Sequence, residues 1–207
     1  MKSERRLREI IRAGKPLIEE RLGAPSAALF ENRVLERYGA LNAGAPSFKR
    51  AVNNRLFSLG VPLLAAHRVL LDDFHMEKAA AVSLLEAMVV ATMRPRVESL
   101  AGRALLNVTF RLPIVRDLGL RQAYAADEPD GFRFEEVRDP EAAFGFDVHE
   151  CALVKYCRAQ GAPEIVPILC RLDDLMAAQL RGLRLVRKGT IATGAERCDF
   201  RYVKTKR

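Results

Sequence analysis

The chain has 207 residues, 49% of them hydrophobic, and a formal net charge of +8. That length and apolar content suit one domain with a real core. No apolar run approaches the roughly 20 residues of a membrane span, and the charged opening MKSERRLREIIRAGKPLIEE lacks the apolar segment of a secretory signal. Four cysteines, at 151, 157, 170 and 198, all fall in the last third. Without an export signal they read as reduced thiols in a cytoplasmic protein rather than a disulfide framework.

The positive charge is concentrated. Between Arg181 and Arg207 stand nine Lys or Arg against two acids, Glu196 and Asp199. The bases interleave with apolar residues in LRLVRK and FRYVK, as on a sheet with one solvated face. No zinc-finger, aromatic RNA-binding or helix-turn-helix pattern accompanies them, so no nucleic acid and no membrane is expected as partner.

In chain order, the first two-thirds read as helical. Apolar spacing gives helices over 3–13 and 26–38. The turn AGAPS follows, with Ser47 placed to cap a helix over 48–59. Pro62 opens the next, to Asp73. Residues 76–92 form a long Ala- and Leu-rich helix ending near Pro95, and another follows from Val97 to about Leu106. The texture changes at ADEPDG. FRFEEVR and AFGFDVHE alternate as strands, with Phe144, Phe146 and Val148 on one face. Cys151 to Gln160 reads as a helix stopped by Gly161, and a second runs from Pro163 or Pro167 to about Leu180. LRLVRKGTIAT and RCDFRYVK close the chain as strands around a turn at TGAE. The predicted fold class is α+β: a mainly helical region over 1–126, then over 127–207 an antiparallel sheet of about four strands with two packed helices, together one compact domain.

The chemistry-bearing residues lie in this second region. On the helix from Pro167, Cys170, Asp173 and Asp174 fall away from the stripe of Ile168, Leu169, Leu172, Leu175 and Met176. That face is either a site or a solvated acidic surface containing a cysteine. A carboxylate so placed can hold a cation or move a proton, and it raises the neighbouring thiol's pKa. Cys151 stands where a strand hands over to a helix N-terminus, which favours a thiolate. His149 shares a strand face with Asp147, and with Cys151 if the strand continues. Cys157 reads as core, and His67 and His75 as structural. Cys151, Cys170, Cys198 and His149 carry zinc-ligand atoms, but no C-x2-C pair is present. No metal is assigned, and no cofactor is expected.

These segments together resemble the L-2-amino-thiazoline-4-carboxylic acid hydrolase family. The resemblance rests on Cys151, Gly161, Pro163, Glu164, Cys170, Asp173, Thr190, Gly194, Cys198, Asp199 and Phe200, in the last third of the chain. It implies hydrolytic opening of a small cyclic amidine by attack at the C=N carbon, with the small molecule as principal partner; association into a homo-oligomer is compatible with it. Under it, Asp173 binds the amidinium and Cys170 or Cys151 is the nucleophile. His149 or Asp199 moves the proton. Cys198 and Asp199 line the substrate site, and Arg201 or Arg187 pairs a substrate carboxylate. The ending CDF is also similar to vinyl-reductase-type binding domains, which implies a non-catalytic sensor as the competing class. Those carry a cysteine where this chain has Thr190.

Overall fold

The computed structural model describes residues 2–205. Among the described residues seven helices precede the sheet: α1 (Lys2–Leu22), α2 (Ala24–Ala43), α3 (Ala51–Phe57), α4 (Gly60–Asp72), α5 (Lys78–Glu98), α6 (Leu100–Arg111) and α7 (Pro113–Tyr124). Helix α4 is apolar on nearly every side and fills the centre, with Val61, Leu63, Leu64, Val69 and Leu70 buried. Helices α1, α2 and α5 pack around it through Leu7, Ile18, Phe30, Val34, Leu85 and Met88. Among the described residues no helix is long and apolar enough to cross a membrane.

Helices α1, α2, α5 and α6 outrun the ends that sequence spacing gives them, two of them through a proline. Helix α1 continues through Pro16, and α5 through Pro95. A proline forfeits one helical hydrogen bond, but burial of Ile18 beyond the first and Val97 beyond the second keeps each chain helical. Ser99 then caps α6 by accepting from the Gly102 N–H. Ser47 caps nothing: α3 starts at Ala51. The amides of the preceding loop are taken instead, by Asn54 at Phe48 and by Glu128 at Lys49 and Arg50. Helix α7 lies where sequence spacing gives no element.

The second region carries β1 (Arg133–Val137), β2 (Phe144–Glu150), α8 (Ala152–Ala159), α9 (Val166–Ala177), β3 (Leu183–Val186) and β4 (Cys198–Lys204). The strands form one antiparallel sheet in the order β1-β2-β4-β3. Between β2 and β4 the register sets Phe144 against Tyr202, Phe146 against Phe200 and Val148 against Cys198. The first two pairs stack with ring centroids 4.5 and 4.7 Å apart. Strand period puts these side chains on one face and Gly145, Asp147, Asp199 and Arg201 on the other. Helix α9 lies between the helical core and the sheet, packing on α5 and β3.

β3 is shorter than the apolar run LRLVRKGTIAT suggests. The backbone N–H groups of Lys188 and Gly189 donate to Asp199 Oδ1, turning the chain out of the ladder. Residues Ile191–Thr193 form a single 3-10 turn capped by Thr190 and closed by Gly194 at φ 95°. Only glycine takes that left-handed conformation without strain.

Candidate functional site

Between the aromatic face of the sheet and the helices lies a cavity of about 480 Å³. Phe134, Phe146, Val148, Phe200 and Tyr202 line it from the sheet side, and Leu169, Cys170, Asp173 and Met176 from α9. Helices α6 and α7 close another side with Phe110 and Leu120, and Phe110 packs 5.2 Å from the ring of Tyr202.

Three thiols converge on this space from three elements. Cys151 is the residue before α8, Cys170 sits on the first turns of α9, and Cys198 opens β4. All three lie close enough to Asp173 for its charge to act on them and raise their pKa values. The N–H of Ile191 donates to the sulfur of Cys198 at 3.2 Å, so the 3-10 turn fixes that thiol. Asp173 completes the group, and Arg187 holds it. The guanidinium donates to Asp173 Oδ2, to both oxygens of Asp174 and to the carbonyl of Cys170, each at 3.1 Å. It also lies 5.0 Å from the ring centroid of Phe200. Only 10% of the Arg187 side chain is exposed, whereas Asp173 keeps 33% because it opens onto the cavity.

The electrostatics follow from this enclosure. Burial pushes the carboxyl of Asp173 up to about 6, against the pull of Arg187. Burial likewise raises Cys170 to about 12 and Cys151 to about 11, and moves Cys198 upward. At Cys151 the amides of Val154 and Leu153 favour the thiolate, as its position at a helix start leads one to expect. None of them is in hydrogen-bond geometry with the sulfur, and desolvation outweighs them. At neutral pH the cavity therefore holds thiols, not thiolates.

Other residues singled out in the sequence lie elsewhere. His149 does not share a face with Cys151, because β2 ends at Glu150 and the chain turns into α8. Its Nε2 lies 2.7 Å from Glu135 Oε2 on the opposite face of the sheet from the cavity. Arg201 is on that face too, donating to Asp147 at 2.8 Å and lying across Gly145, where a Cβ would meet its side chain at 2.8 Å. Asp199 holds the loop after Arg187 and does not reach the cavity. Cys157 is fully buried in the helical core. Among the described residues, no three His, Cys, Asp or Glu side chains gather to hold a metal ion. Arg187 was legible only as one of two candidate cations. The aromatic lining was visible in strand alternation, but nothing in the sequence pointed to Phe110 or Leu120, nor to Arg6, Arg55 and Arg116, which line the cavity as well.

Sheet, helices and the thiol-lined space between them define an α+β protein built around an internal cavity. Comparison with known families matches residues 64–202 to L-2-amino-thiazoline-4-carboxylic acid hydrolase. The match covers more than half of the chain and reaches back into α4, well beyond the last third, and the chain belongs to this family. No curated protein and no solved structure is found to match it.

Proposed function

We propose that the protein hydrolyses a small cyclic amidine within this cavity, with Asp173 as the group that holds the amidinium and moves the proton. The observation that carries the reading is the position of Asp173. It faces an apolar cavity beside three thiols, with Oδ2 engaged by Arg187 and, among the described residues, no hydrogen bond to Oδ1. A carboxylate raised toward neutrality by burial is suited to proton transfer near pH 7. Family membership supplies the reaction class.

In this scheme Asp173 takes a proton from water as the water oxygen bonds to the amidine carbon. The ring C–S bond then breaks, its electron pair passes to sulfur, and sulfur recovers the proton from Asp173 while the proton left on the new hydroxyl passes to solvent. A ureido group and a free thiol result. Burial keeps Cys151 and Cys170 protonated, which favours water as the attacking group and leaves the two thiols to donate hydrogen bonds to the departing sulfur. With 2-amino-thiazoline-4-carboxylate as substrate, one thiol should appear per turnover. Asp173→Asn should lower kcat/KM at least about 100-fold, whereas Cys170→Ser and Cys151→Ser should stay within about tenfold of the parent. Full activity in Asp173→Asn would end this assignment; total loss in one serine variant with the fold intact would make that thiol the nucleophile.

The protonated thiols also support a second reading, a domain that binds a small molecule without turning it over. Saturable binding with no thiol release would favour it.

A further inference from the structure

The family's name describes a compact, polar molecule, and the cavity is neither small nor polar. At about 480 Å³ it lies within the range, roughly 300–1,000 Å³, of sites that enclose drug-sized ligands. A single five-membered ring with its carboxylate fills only part of that space. The walls are also strongly aromatic. Phe146 stacks face to face on Phe200 at 14° between planes and Phe144 on Tyr202 at 10°, so these rings stand on the sheet and turn a row of apolar edges to the cavity. Phe134 adds to the row, in a T-shaped contact with Phe146. Apolar surface of this kind, facing an open space, is costly unless a ligand covers it.

Arg6, Arg55 and Arg116 also line the cavity, from α1, α3 and α7, so what places a cation is the end formed by α9. There Arg187 stands between two carboxylates, Asp173 and Asp174, one positive charge against two negative. A ligand carboxylate at this end meets an arginine already engaged. A ligand cation meets Asp173 Oδ1, which no described residue bonds. We propose, building on the hydrolase reading, that the site is made for an amidinium carrying an apolar group: the cationic head lies on Asp173 and an aryl-sized body packs against the ring edges of Phe146 and Phe200 and against Phe134.

Amidinium ions that have no ring to open test binding separately from turnover. Titration calorimetry on the full chain, with acetamidinium, benzamidinium and 4-phenylbenzamidinium, reads the apolar contribution directly. Affinity should rise at least tenfold from the first to the last, with an increasingly negative heat-capacity change as apolar surface is buried. Phe146→Leu, which keeps the bulk but removes the ring, should erase most of that gain, and Asp173→Asn should weaken all three. Equal affinities along the series, or a series unaffected by both variants while melting shows them folded, overturns the proposal. Hydrolysis of 2-amino-thiazoline-4-carboxylate is assayed alongside. Turnover without aryl-amidine binding leaves the hydrolase standing and removes this inference, and aryl-amidine binding without turnover does the reverse.

Discussion

Arg187 gathers more of the site than any other side chain. Its fork of donors matches two carboxylates and a carbonyl at once, and its flat face lies against Phe200. What it leaves incomplete is Asp173, whose carboxyl burial drives up to about 6. Two consequences of opposite use follow. Binding of an amidinium needs the carboxylate, so affinity should fall as pH drops through about 6 and become flat with pH in Asp173→Asn. Stability runs the other way. The folded carboxyl holds its proton more tightly than the unfolded one, whose ordinary value is 3.8, so between about 4 and 6 this group's contribution to stability declines as pH rises. Other carboxylates, Glu9, Glu128 and Glu150 among them, are shifted downward and slope the opposite way. The measurement is therefore the difference in unfolding free energy between parent and Asp173→Asn across that window. A difference that does not change with pH would refute the burial argument.

At the scale of elements, the site depends on strand period and on one tight turn. β4 sends Cys198, Phe200 and Tyr202 to the cavity and Asp199 and Arg201 to the ionic face. Alternation alone makes the aromatic face readable in the sequence. It could not say that CDF divides its labour, with Cys198 in the cavity and Asp199 bracing the loop after Arg187, because strand boundaries depend on hydrogen bonds made by Lys188 and Gly189. Glu164 is a similar case. It belongs to the family pattern, yet it sits outside the cavity, 3.5 Å from the buried His67 and from Lys78, where it ties the approach to α9 to the helical core. Helix type was legible from spacing alone. The separation of a thiol face of α9 from its apolar stripe was not, because Leu169, Leu172 and Met176 turn to the same cavity as Cys170 and Asp173. Nor were the partners of His149 and Arg201, which come from neighbouring strands of the sheet. Within the turn, Gly194→Ala forces a β-carbon into a left-handed conformation and should cost about 1 kcal/mol. A lowered denaturant midpoint with unchanged slope is the expected signature, and an unchanged midpoint would show that the turn carries no strain.

Across the whole molecule, burial is uneven. The main core joins α1, α2, α4 and α5 to α8 and α9, and a smaller cluster lies on the cavity face of the sheet, around Val148, Cys198, Phe200 and Tyr202. Helices α6 and α7 contain no fully buried residue, and Leu100 and Ile114 are 87% and 85% exposed. Yet these two helices supply Phe110 and Leu120 to the cavity wall. A wall held by so little burial opens at far smaller cost than the core behind it. Its amide protons should exchange with solvent well before those of α4, in a local event that leaves the sheet intact. Uniform exchange across α4, α6 and α7 would contradict this. A bound ligand that touches Phe110 should slow exchange in α6 and α7 specifically. Residence time in the cavity then becomes a property of how often this pair of helices lifts, not of how tightly the floor grips.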